Sequence, residues 1–132
     1  MSTRTEPVTI ILPWPPSENR YRRTIRMGNQ CRPIISREGR AYRKAVQSVV
    51  LATSEPWPLL GRLAVEITAC PPDRRRRDLD NVLKATLDAL EHAGVYEDDY
   101  QIDDLHIMRG CVVKGGELLV QLRAITAEEA AT

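Results

Sequence analysis

The chain has 132 residues, with 19 Lys+Arg against 18 Asp+Glu, two His, three Cys and no Phe. That length holds one domain with a true core and argues against two conventional domains, while 42% hydrophobic and 28% charged residues exclude the disordered and fibrous classes. The formal net charge of +1 hides a segregation: residues 1–77 hold 15 basic and six acidic residues (+9), and residues 78–132 hold four and 12 (−8). No stretch reaches the roughly 18 apolar residues of a membrane span. Residues 1–7 lack the apolar run of a signal peptide, so the expected location is the cytoplasm, with no membrane partner.

In chain order, residues 8–12 form a short β-branched run, read as a strand that Pro13 stops. The following Trp14-Pro15-Pro16-Ser17 is neither helix nor central strand, because proline lacks the donor. Residues 20–32 read as a basic arm or loop. There Arg20, Arg22, Arg23, Arg26 and Arg32 suit phosphate contact and Tyr21 suits stacking, with a plain solvated loop as the alternative. Ser36 can N-cap a helix to about Thr53, with Tyr42, Ala45, Val46, Val49 and Val50 on one buried face. Residues 62–70 alternate as a strand, with Leu63, Val65, Ile67 and Ala69 inward. A second helix is expected over residues 78–92, its core stripe running from Leu79 to Leu90 and its end marked by Gly94. Residues 102–113 read as a strand, Lys114-Gly115-Gly116 as a hairpin turn and residues 118–125 as the partner strand, before a frayed tail at 127–132.

The order β-α-β-α-β-β predicts one small α/β domain of the α+β type over residues 1–132, a mixed sheet with helices packed on it. Cys31, Cys70 and Cys111 give neither a disulfide framework nor a zinc spacing; Cys70 and Cys111 are expected to be buried, reduced fillers. Neither His belongs to a ligand-spaced pair.

Chemistry concentrates in Arg74-Arg75-Arg76-Arg77-Asp78-Leu79-Asp80-Asn81, which opens the second helix. At 100° per residue, Asp80, Lys84, Asp88 and Glu91 share the face opposite the apolar stripe. A wholly structural account is available: Asp78 caps the helix, Asp80 decorates it, and Lys84 pairs with Asp88. It leaves the second acidic run, Glu97-Asp98-Asp99 followed by Asp103-Asp104, unexplained. If that run returns beside Asp78 and Asp80, the carboxylates repel unless a cation is present, and hard divalent ions such as Mg²⁺ or Mn²⁺ satisfy such a set. Beside four arginines, that site suits hydrolysis of a phosphodiester. Asp-x-Asp also opens aspartyl-nucleophile phosphatases and marks nucleotide-sugar glycosyltransferases. The former place it directly after an apolar strand, and the latter need a larger fold.

With these residues in view, the chain resembles the RusA-type Holliday junction resolvases. The resemblance is carried by Leu12-Pro13-Trp14-Pro15-Pro16-Ser17-Glu18-Asn19-Arg20-Tyr21 and by Pro72-Asp73-Arg74-Arg75-Arg76-Arg77-Asp78-Leu79-Asp80-Asn81. Asp88-Ala89-Leu90, Ala93-Gly94, Asp98-Asp99 and Lys114-Gly115-Gly116 complete it. It implies an intertwined homodimer that binds four-way DNA junctions and nicks them in symmetric pairs with Mg²⁺ or Mn²⁺, in DNA recombination and repair. The family's three metal-binding aspartates fall on Asp78, Asp80 and Asp99, with Asp98 an alternative third ligand, and its essential lysine on Lys84. Arg77 matches a junction-binding arginine, and Arg74, Arg75 and Arg76 are expected to add phosphate contacts. DNA contact by Arg20, Arg22 and Arg23 rests on charge alone. The competing reading is a non-catalytic junction-binding protein whose acidic cluster is mere surface.

Overall fold

The structure, a computed structural model, describes residues 6–130. In chain order its elements are β1 (Val8–Pro13), α1 (Glu18–Tyr21), β2 (Arg22–Met27), β3 (Gln30–Ile35), α2 (Arg37–Ala52), β4 (Leu63–Cys70), α3 (Leu79–His92), a 3₁₀ turn (Asp99–Gln101), β5 (Ile102–Arg109), β6 (Glu117–Ala124) and α4 (Ala127–Ala130). One mixed sheet runs β1-β6-β4-β5, and β2 and β3 form a separate two-stranded sheet. This is the expected small α+β domain. No helix among the described residues is long and apolar enough to cross a membrane.

Period-two patterning places the core. Ile10 and Leu12 of β1, Leu63, Val65, Ile67 and Ala69 of β4, and Leu118, Val120 and Leu122 of β6 are all buried in one cluster. Tyr42, Val46 and Val50 of α2 and Val82, Ala85, Ala89 and Leu90 of α3 join the same cluster. Ser36 caps α2 as expected, its side chain accepting from the Gly39 N–H at 3.0 Å. Ala45 lies outside the buried stripe and is exposed, because the face is centred on Gly39, Tyr42, Val46 and Val50.

Five sequence expectations are corrected. Residues 20–32 are no loop: β2 and β3 pair from Arg22↔Ile35 to Met27↔Gln30, closed by Gly28 at φ +63°. The β-branched Thr24, Ile25, Ile34 and Ile35 favour a strand, a signal that the arginines mask. β5 and β6 are not hairpin partners either. β4 lies between them, parallel to β5 from Leu63↔Ile102 to Ala69↔Arg109 and antiparallel to β6. α3 supplies the crossover that a parallel pair requires. β5 ends at Arg109, and Gly110 and Val113 then donate to the carbonyls of Ala69 and Pro71, carrying the chain across the end of β4. Cys70 is only half-buried and Cys111 is exposed. The expected frayed tail instead contains α4, which the Arg123–Glu129 ion pair at 2.7 Å and the Thr126 hydroxyl tie down; residues 131–132 lie outside the described residues.

Candidate active site

Three segments far apart in sequence meet at the N-terminal end of α3. The Tyr42 hydroxyl donates to the Pro13 carbonyl at 2.8 Å, fixing the exit of β1, and the Glu18 N–H donates to Asn81 Oδ1 at 3.2 Å. The Arg77 guanidinium lies 5.9 Å from the Trp14 ring centroid. Gly116, at φ +74°, packs so closely that a Cβ there would fall 2.8 Å from Trp14 Cβ and 3.0 Å from Pro72 Cδ. Only glycine combines that backbone with that approach.

The arginine run is organised by Asp73. Its carboxylate accepts from Arg77 at 2.6 Å and from the Arg75 N–H at 2.9 Å, and these arginines hold it far below the usual carboxylate range. Arg74 and Arg76 are exposed and form no ion pair among the described residues. Asp78 occupies the N-cap position with extended backbone, yet its side chain makes no capping hydrogen bond. Asp78, Asp80 and Lys84 are exposed, and no side-chain hydrogen bond or ion pair occupies them among the described residues. Two parts of the structural account are thus not met among the described residues: the Asp78 side chain makes no capping hydrogen bond, and Lys84 does not pair with Asp88.

The other acidic run sits at the opposite end of the same helix. One carboxylate oxygen each from Glu91, Asp98 and Asp99 lies within 4.8 Å of the others. The Asp99 N–H donates to Glu91 Oε1 at 2.9 Å, and Asp98 Oδ1 accepts from the Tyr100 N–H at 2.9 Å. Asp80 and Glu91 are 11 residues apart on one helix, which separates them by roughly 17 Å along its axis. The structure thus does not bring Asp99 or Asp98 beside Asp78 and Asp80 within one chain. Glu91 joins the acidic cluster although sequence reading gave it no ligand role. Its place on the Asp80 face, one residue before the helix end, was the available signal.

The family model described as endodeoxyribonuclease RusA matches residues 13–123, from the end of β1 to the end of β6. The chain belongs to this family. It is 46% identical over 112 residues to the crossover junction endodeoxyribonuclease rusA of Enterobacteria phage HK97, covering 85% of this chain and 90% of that protein. It is 45% identical over 109 residues to the protein of the same name from Enterobacteria phage 82, covering 83% and 88%. The corresponding protein of Escherichia coli (strain K12) is 44% identical over 110 residues, covering 83% and 88%.

In this RusA-family chain, Asp88 ties three helices together. Its carboxylate accepts from the Tyr21 hydroxyl and from Arg43, whose Nη2 is 2.7 Å away, and Arg22 stands at 3.7 Å. Burial opposes the ionisation of Asp88, but Tyr21 and Arg43 outweigh it and keep the carboxyl below its ordinary value. Burial and the neighbouring Asp88 push the Tyr21 hydroxyl up to about 12. Arg22 also pairs with Glu18, so it is engaged within the protein, whereas Arg20 and Arg23 are exposed. Sequence reading missed Arg43 and Tyr21 as Asp88 partners because they lie 45 and 67 residues away.

Proposed function

We propose that this chain is a structure-specific endodeoxyribonuclease that resolves four-way DNA junctions by paired, symmetric phosphodiester hydrolysis, in recombination and repair. The observation that carries the reading is the end of α3. Two unengaged carboxylates, Asp78 and Asp80, and an unengaged Lys84 one turn on stand beside the Arg74 to Arg77 run. Family membership and relatives named crossover junction endodeoxyribonuclease support the same conclusion.

The donor set is all oxygen, from exposed carboxylates whose lone pairs at Asp78 and Asp80 no side-chain donor among the described residues occupies, and it fits a hard divalent cation such as Mg²⁺, with Mn²⁺ able to substitute. Asp78, Asp80 and Asp99 would hold it, with Asp98 the alternative third ligand. A cation there supplies Lewis acidity to the phosphodiester and lowers the pKa of bound water. Lys84, on the Asp80 face, places an ammonium where negative charge develops on the phosphate. Arg77 and Arg75, both held by Asp73, and the exposed Arg74 and Arg76 grip the flanking backbone, and Arg20 and Arg23 extend that surface. Because Asp80 and Asp99 stand at opposite ends of α3, one metal site uses both only if a second copy contributes one of them. A twofold homodimer supplies that contribution twice and matches the pseudo-twofold symmetry of a four-way junction.

The test is incubation of the purified protein with a mobile four-way junction and a matched linear duplex, with and without Mg²⁺. The expected result is symmetric paired nicks on the junction, in Mg²⁺ only, and their loss in Asp80→Asn with junction binding retained. Junction binding without nicks at any metal concentration would instead establish a non-catalytic binding protein.

A further inference from the structure

The Trp14 ring is held in one place by covalent and packing constraints. Prolines flank it on both sides, Tyr42 anchors the Pro13 carbonyl, and Gly116 packs closely against its Cβ and Cγ. A rigid aromatic costs little conformational entropy when a ligand lands on it. The ring is not sealed: Trp14 is half-exposed, and its indole N–H has no partner among the described residues. Two recesses open against it. One, of about 100 Å³, is lined by Pro15, Pro16, Arg77, Asp78 and Asn81. The other, of about 360 Å³, is bordered by Arg20, Glu38, Arg75, Arg76 and Arg77.

That surroundings select a nucleotide. Across the two recesses four arginines stand against Glu38 and Asp78, a surplus that favours an anionic ligand. Trp14 offers a π-face once the Arg77 guanidinium, 5.9 Å from its centroid, turns to a phosphate. Asn81 offers its amide NH₂ to a base edge while its Oδ1 accepts from the Glu18 N–H. We propose that the recess between Trp14 and the first turn of α3 takes a nucleobase that has left the helical stack at a DNA branch point. The indole is its stacking surface, and Arg75, Arg76 and Arg77 hold the adjoining phosphates. This rests on the nuclease reading and adds how branched DNA is told from linear DNA. In an unbroken duplex both faces of every base are covered, so none can seat on Trp14 without the cost of unstacking. At a branch point stacking is already interrupted, and the base that seats there leaves its phosphate next to Asp78.

The chain contains two tryptophans, and the second, Trp57, is half-buried elsewhere, its Nε1 donating to the Val50 carbonyl at 3.2 Å. Trp57→Phe therefore leaves Trp14 as the single indole reporter. Its emission is followed in EDTA while labelled four-way junction, short single-stranded oligonucleotide or linear duplex is titrated in, with occupancy measured in parallel by anisotropy of the label. Quenching by junction and by oligonucleotide, and little change at equal occupancy of duplex, is expected. Equal quenching by duplex, or saturated junction binding with unchanged emission, overturns the inference while leaving the nuclease reading intact. Failure to bind any of the three DNAs overturns both. In the wild-type background, Trp14→Ala is expected to weaken oligonucleotide and junction binding about tenfold and duplex binding hardly at all, with Trp14→Phe restoring most of the loss. An equal loss on duplex would mean that Trp14 only supports the fold.

Discussion

Asp88 and Lys84, one helical turn apart on α3, illustrate opposite uses of charge. Asp88 is half-buried and bonded by Tyr21 and Arg43, so removing its charge leaves a guanidinium and a hydroxyl short of their acceptor. Complete burial of such a pair would make the loss 3–5 kcal/mol, and partial exposure reduces it; Asp88→Asn is expected to cost about 2 kcal/mol in urea unfolding. The folded carboxyl titrates below its unfolded value, so its contribution is present above about pH 4 and disappears as pH falls through the folded pKa. Asp88→Asn should accordingly flatten the acid limb of the stability curve, and an unchanged limb would remove this network from the account of stability. Tyr21 acts at the other extreme. With its hydroxyl raised to about 12, its contribution holds below pH 10 and is lost as pH rises through that value. Lys84 has no partner to lose among the described residues, and alanine is a better helix former. Lys84→Ala should leave unfolding within about 0.5 kcal/mol of wild type while abolishing cleavage; a stability loss above that would mark Lys84 as structural.

At the scale of elements, what could be read from sequence was what is encoded locally. α2 and α3 declared themselves through a 3.6-residue stripe, a Ser36 cap and a Gly94 stop, and β4 through strict alternation. Pairing is not local. Gly115 and Gly116 mark a turn, but nothing nearby reveals that β4 is inserted between β5 and β6. The metal-ligand candidates were legible as a motif, but their separation was not, because Asp98 and Asp99 follow the helix and only tertiary folding sets them beside Glu91 at its far end. The Asp88 network was not, since its partners come from α1 and α2. Gly39 carries the same lesson. In an isolated helix, replacing glycine by alanine gains about 1 kcal/mol. Here a Cβ would overlap the Tyr21 carbonyl oxygen and lie 2.8 Å from Ile35 Cγ2, and that carbonyl is fixed by the Ser36 N–H at 2.9 Å. Gly39→Ala is therefore expected to destabilise the protein by at least about 2 kcal/mol, and a gain in melting temperature would mean that α1 and α2 are not packed this closely.

On the whole molecule, the basic and acidic halves do meet, but only in part. Arg22 and Arg43 reach Asp88 and Arg62 reaches Asp103, whereas Arg20, Arg23, Arg26, Arg32, Arg74 and Arg76 form no ion pair among the described residues. That surplus suits the proposed polyanionic partner, and log affinity for duplex DNA should fall against log salt with a slope of about −0.9 per phosphate neutralised. The carboxylates pose a different problem, since Asp80 and Asp99 end up on opposite ends of α3. If each metal site combines Asp80 of one subunit with Asp99 of the other, Asp80→Asn and Asp99→Asn homodimers are both dead. A mixed dimer then has one site with both substitutions and one with neither. Mixing the two inactive proteins, unfolding and refolding them together, should restore nicking on one strand of each junction without the paired second cut. If each site were built within one chain, every site in the mixture would carry a defect and no nick would appear. Recovery of single nicks from two inactive parents, measured on a junction labelled on both candidate strands, thus decides whether the proposed dimer merely matches the junction's symmetry or builds the site.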